Sequence, residues 1–258
     1  MEHQKVLRLF DRQMRREAAP DHSGVRVEDT GTVVRQSGAA GDWNCVVWSG
    51  LDESTADAVI AEQIGHFGAL GVEFEWKTYG HDRPADLGER LARAGLAAEE
   101  PESLMVAEAA EQPEAGALGD GLRLVDATDE AGIALAAEVH RLAFGADSDR
   151  LQQQLLDRLA HAPDSFVMTL VMAGQRPVAA ARIEFTSGAD FAGLWGGGTL
   201  PAYRGRGLYR ALVAHRAALA SARGVRYLQV DALPTSRPIL ERLGFEQLDV
   251  TVPYVFTP

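Results

Sequence analysis

Residues Thr199 to Leu212, TLPAYRGRGLYRAL, bring two glycines and three arginines to a point where a glycine-rich apolar run gives way to a helical pattern. The first N–H groups of a helix lack internal acceptors and lie at the positive end of its dipole, so such a turn suits an anion. Arg204, Arg206 and Arg210 add positive charge where it is unfavourable by roughly 0.3 to 1 kcal/mol each. Arg206 and Arg210 also repel one another at i, i+4. No Ser, Thr, Asp or Asn stands between Tyr203 and Gly207 to cap the helix. A bound polyphosphate resolves the conflict; arginines turned to solvent, or paired with the chain's own acids, are the alternative.

Other chemistry is sparser. The P-loop requires Gly-Lys-Ser/Thr, and no Lys follows Lys77. The dinucleotide fingerprint finds Gly205 and Gly207 but meets Arg210 at its third position, and the repeated βαβ units around it are missing. Glu184, on a strand where Ala181, Ile183 and Phe185 alternate with Arg182, is the candidate general base; pairing with Arg182 is its alternative. Asp231 reads as a base, a substrate anchor or a turn residue. His215 lies on the apolar side of a helix and reads as a hydrogen-bonded core residue. The seven His and the single Cys45 show no metal-ligand spacing, so no metal is expected.

The elements that must position these residues follow from periodicity. Strands are expected at Leu122–Val125, Ser165–Ala173, Val178–Phe185, Phe191–Leu200, Tyr227–Val230 and Phe245–Val255. Helices are expected at Asp129–Phe144, Asp149–Ala160, Gly205–Ala222 and Pro238–Leu243. This order mixes hairpins with one parallel crossover, an α/β chain with a mixed sheet. The stretch 109–121, small, acidic and rich in Gly and Pro, reads as a linker, giving domains at 1–115 and 116–258. The first part repeats the later order more weakly. Strands at Asn44–Trp48, Val72–Thr78 and Leu104–Val106 alternate with helices at Thr55–Ala69 and Leu87–Ala94, with echoes at Gly71-Val72 and Gly224-Val225.

The whole chain has 258 residues and a net charge of −12, which disfavours general affinity for nucleic acid. Its apolar runs are too short to cross a bilayer. The stretch after Met1 is charged and amphipathic, without a secretory core, so a cytoplasmic protein is expected.

The Arg-Gly stretch resembles motif A of the GNAT superfamily of N-acetyltransferases, Arg/Gln-x-x-Gly-x-Gly/Ala after a strand, on Arg204, Gly207 and the preceding Pro201-Ala202-Tyr203. Tyr209 departs from it, standing where the family has Gly or Ala. The following strand, short helix and Leu243-Gly244-Phe245 resemble motif B, and the order of elements from about 121 to 258 is similar to the GNAT core. The resemblance implies the GNAT acyl-CoA N-acyltransferase fold in two halves, the first a degenerate copy with Asp52 and Glu53 where phosphate would bind. It implies acetyl-CoA as co-substrate, its pyrophosphate on the backbone N–H groups of Gly205, Arg206, Gly207, Leu208, Tyr209 and Arg210. Arg204, Arg206 and Arg210 would give ionic support, and Thr199 and Leu200 would lie along the pantetheine arm. The acceptor implied is a primary amine of a small molecule or peptide, on a monomer or homodimer. The family's usual acid, a Tyr four residues before the Gly of motif B, is replaced by Leu240, so a non-catalytic acyl-CoA sensor is the alternative function.

Overall fold

The computed structural model describes residues 1–22, 24–114, 116–145 and 148–258. In chain order the strands are β1 (Arg26–Asp29), β2 (Val33–Ser37), β3 (Cys45–Ser49), β4 (Phe74–Tyr79), β5 (Ala97–Ala98), β6 (Glu102–Glu108), β7 (Leu122–Ala127), β8 (Phe166–Ala173), β9 (Arg176–Phe185), β10 (Phe191–Thr199), β11 (Tyr227–Ala232) and β12 (Glu246–Phe256). The helices are α1 (His3–Phe10), which runs on as a π-helical turn at Asp11–Arg16, α2 (Ala56–Leu70), α3 (Leu87–Arg93), α4 (Glu130–Phe144), α5 (Asp149–His161), α6 (Leu208–Ala222) and α7 (Arg237–Arg242).

The chain forms two compact units. The first comprises Met1–Met105, Asp231–Leu240 and Glu246–Pro258; the second comprises Val106–Val230 and Glu241–Phe245. The last strand, expected beside its neighbours in sequence, thus belongs to the first unit, where Thr251–Phe256 of β12 pair antiparallel with Tyr79–Phe74 of β4. Ala115, at the expected domain boundary, lies outside the described residues.

In the first unit the strands run β1-β2-β3-β4-β12, with β5 also on β12. β3 and β4 are parallel, joined through α2. One face of this sheet buries Phe74, Trp76 and Leu91 with Ile60 and Phe67 of α2. On the other face the buried guanidinium of Arg15 lies 4.1 Å from the Tyr79 ring centroid and pairs with Asp82 at 2.7 Å. His81 pairs with both Asp11 and Asp249. Those hydrogen bonds raise its pKa to about 9, so it is charged near neutrality and ties the N-terminal helical segment to β12. The hairpin β1–β2 was not expected from the sequence; its alternation is short and half-exposed.

In the second unit the order is β11-β10-β9-β8-β7. The near-continuous apolar runs of β8 and β9 are what a sheet covered on both faces requires. The core joins Ile133, Ala136 and Val139 of α4, Leu155 of α5 and Leu208 and Leu212 of α6 to Met168, Leu170, Val178 and Ala180. Each large aliphatic side chain buried here contributes about 1.5 to 3 kcal/mol.

The internal repeat is visible in detail. α2 and α6 both end with the amide of the following Val reaching back to a helix carbonyl, Val72 to Phe67 O at 3.2 Å and Val225 to Ala220 O at 3.0 Å. Each helix connects two parallel strands, β3 to β4 and β10 to β11.

Candidate functional site

β10 is built to part from its neighbour. Its parallel register with β11 covers only Phe191–Gly193 against Tyr227–Gln229, and its pairing with β9 is interrupted between Trp195 and Gly198. The glycines there are needed for close approach. A Cβ on Gly197 would lie 3.0 Å from the ring of Tyr209, and one on Gly198 would lie 3.0 Å from the ring of Phe144. The backbone of β10 is therefore pinched between α6 and the last turn of α4.

Past β10 the chain makes a short turn at Pro201–Tyr203 and enters α6 through Gly205 and Gly207, with φ of +75° and +77°. The first amide of α6 to reach a carbonyl is that of Ala211, to Gly207 O at 3.0 Å. No side chain caps this end, and the first turn contains no acid. Among the described residues no carboxylate pairs with Arg204, Arg206 or Arg210, all three exposed. Arg204 instead donates through Nε to Thr199 O at 3.2 Å and through Nη2 to Ala143 O at 3.4 Å, tying the end of β10 to the end of α4. Arg206 lies over the Tyr203 ring, 4.8 Å from its centroid. Leu200 and Leu208 are buried and anchor both sides of the loop, whose glycines are exposed.

Tyr209, the departure from the family pattern, fills the space left bare by Gly197. Burial pushes its phenol pKa up, opposed by the charge of Arg216. Arg216 is itself 1% exposed, bonded to Leu212 O and Arg182 O, and its pKa is lowered to about 10, first by burial. Leu240 is fully buried, a packing residue where the family's acid would stand.

Glu184 is poorly suited to the role of base. Its carboxylate lies 2.6 Å from Arg182 Nε and 2.9 Å from Arg158 Nη1. Burial would raise its pKa, but the two guanidinium groups outweigh it and hold the carboxyl below the usual range. A carboxylate so paired gives up its charge reluctantly. His215 bonds Asp126 Oδ1 at 2.9 Å, with Thr169 on the same oxygen, hydrogen-bonded as expected but partly exposed rather than in the core. Asp231 lies in the first unit, 2.7 Å from Lys77 Nζ.

One residue escaped the sequence reading. His140, on α4, sets its ring at a tilt 4.7 Å from that of Phe144, and its buried Nδ1 has no hydrogen-bond partner among the described residues. Burial, then the charge of Arg182, lowers its pKa, so the ring is neutral near pH 7. Only its i, i+4 spacing to Phe144 hinted at this.

The first unit treats its corresponding turn differently. Asp52 Oδ1 accepts from the amides of Ser54 and Thr55 at 2.8 and 2.9 Å and from both hydroxyls, and these bonds lower its pKa to about 2. The chain's own carboxylate thus takes up the free amides of this turn. Beside it opens a cavity of about 590 Å³ lined by Leu51–Ser54 and Arg83–Ala85.

Residues 133–245 match the acetyltransferase (GNAT) family model. The fold resembles a GCN5-related N-acetyltransferase from Kribbella flavida, with TM-score 0.70, 16% identity and coverage of 99% of this chain and 94% of that one. It also resembles a tandem GNAT protein from the clavulanic acid biosynthesis pathway, with TM-score 0.62, 13% identity and coverage of 92% and 84%. A GCN5-related N-acetyltransferase from Sphaerobacter thermophilus gives TM-score 0.59 at 12% identity, covering 87% and 80%. No curated protein matches. Residues 133–245 thus resemble the GNAT acetyltransferase family, and the fold of nearly the whole chain is that of GNAT structures, a tandem GNAT protein among them. No helix of the described residues is long and apolar enough to cross a membrane, and no group of three His, Cys, Asp or Glu among them is arranged to hold a metal ion.

Proposed function

We propose that the half at 116–258 binds acetyl-CoA and transfers its acetyl group to a primary amine of a small molecule or peptide. The observation that carries this reading is the opening of α6, where amides and three exposed arginines have no carboxylate partner among the described residues. The pyrophosphate would accept from the amides of Gly205 to Arg210, with Arg206 and Arg210 free to add charge. The pantetheine arm would run along Thr199 and Leu200, on the edge that β10 leaves unpaired beyond Gly193.

In the transfer, the neutral amine nitrogen attacks the thioester carbonyl, the C–S bond breaks, and the nitrogen loses a proton as the thiolate gains one. A backbone N–H of β10 would polarise the carbonyl. His140, neutral and with a ring nitrogen that has no partner among the described residues, is better suited than Glu184 to accept the proton. The thiolate takes its proton from water, since Leu240 offers none.

The experiment is calorimetry with coenzyme A, followed by thiol release from acetyl-CoA over a panel of primary amines. Binding with thiol release on at least one amine supports the enzyme. The buried Leu240 favours a second reading, an acyl-CoA sensor, and binding without release on any amine would assign it. Absence of coenzyme binding would overturn both.

A further inference from the structure

Around β9 the second unit gathers more positive charge than its own acids neutralise. Glu184 accepts from Nε of Arg182 and lies 2.9 Å from Nη1 of Arg158, so two guanidinium groups share one carboxylate. Arg216 of α6, 1% exposed, donates through Nη1 to Arg182 O at 3.1 Å and pairs with no carboxylate among the described residues. Three guanidinium groups thus meet one acid, in a chain whose net charge is −12. Cations withdrawn from water without a counter-charge are costly, and an anion from outside offsets the cost.

Arg182 is the member of this group that an anion can reach. Its side chain is 18% exposed, and Glu184 takes up only its Nε; the Nη1–Nη2 edge has no acceptor among the described residues. That edge turns toward β10. Arg182 stands opposite Trp195 in the ladder, and a Cβ on Gly196 would lie 3.1 Å from Nη1. With φ of +61° this position favours glycine, whose lack of a side chain leaves the guanidinium uncovered. Trp195, Gly196 and Gly197 are each partly exposed, and the register of β10 with β11 ends at Gly193, so solvent reaches the place. It is the same edge of β10 to which the transfer reading assigns the thioester.

We propose that the acceptor carries a carboxylate on the same molecule as its amine, as an amino acid does, and that the Nη1–Nη2 edge of Arg182 receives it beside Gly196. This rests on the acetyl-transfer reading and names the class of its acceptor. The parallel N–H groups of a guanidinium edge match the two oxygens of a carboxylate, which fixes the orientation of the bound molecule as well as its charge. A simple diamine, by contrast, would bring a further cation to a place already rich in them.

The test is thiol release from acetyl-CoA over a panel of α-, β- and γ-amino acids, each beside its own carboxamide, with calorimetry of the same compounds on the full chain saturated with coenzyme A. For at least one pair the acid is expected to show a KM and a Kd about tenfold or more below those of the amide. Arg182→Gln, in which Glu184 keeps Arg158, is expected to erase that difference while coenzyme A affinity stays as it was. Arg182→Lys, which keeps the charge and loses the planar edge, should restore part of it. Equal constants for acid and amide in every pair overturn the proposal. So does a difference that survives in folded Arg182→Gln, or a matching fall in coenzyme A affinity, which would assign Arg182 to the coenzyme instead. If no compound releases thiol, the transfer reading fails separately and calorimetry decides: acids bound through Arg182 in preference to amides uphold the carboxylate site, and binding of neither overturns it. Should Arg182→Gln fail to fold, Arg182→Lys and the acid–amide comparison decide.

Discussion

At Gly207 the backbone takes φ of +77°, and a Cβ there would meet no atom within 4 Å. Gly207→Asp thus has room but costs about 1 to 2 kcal/mol in strain, and it sets a negative charge among the open amides. Coenzyme A affinity is expected to fall by more than about tenfold while thermal melting stays cooperative; calorimetry and circular dichroism check both. His140→Gln is expected to leave coenzyme affinity intact and to lower the turnover number for thiol release. The unsubstituted protein should lose rate as pH falls through the depressed His140 pKa, and the variant should lose that acid limb; initial-rate profiles read the difference. These two residues mark what a sequence can and cannot tell. The Arg-Gly turn is local, so its spacing alone disclosed it. Glu184 has its partners on α5 and on its own strand, and His140 is revealed by a missing partner, which only tertiary packing exposes.

Among elements, α2 and α6 solve the same end-of-helix problem in opposite ways. α6 leaves its first amides open, whereas in the turn before α2 Asp52 takes up the amides of Ser54 and Thr55. Asp52→Ala is expected to lower the melting temperature and to speed hydrogen exchange at Ser54 and Thr55. Because the folded pKa of Asp52 is depressed to about 2, its stabilising effect is present above the ordinary carboxylate pKa and is lost as pH falls through about 2. A carboxyl titration followed by NMR measures that midpoint. Strands and helices of the second unit were legible because long apolar periods specify them. The short β1 and β5 carry too few buried side chains to announce themselves, and within the π-helical turn at Asp11–Arg16 Arg15 finds Asp82 far along the chain.

For the molecule as a whole, the linker at 109–121 suggested two consecutive blocks, but compactness divides the chain otherwise: Glu246–Pro258 completes the first unit. Periodicity found β12 as a strand but could not name its partner, since pairing with β4 joins residues such as Thr78 and Val252, 174 positions apart. A fragment of residues 1–115 is therefore expected to lack cooperative melting when expressed alone, with β4 exposing an unpaired edge. Adding a peptide of residues 246–258 should restore part of it, as circular dichroism would record. The same strand sets a timetable for synthesis. The ribosome makes β12 after β7 to β11, so a nascent chain carries an unfinished first half until the strands of the second unit have been made, and chaperones have that interval in which to shield it.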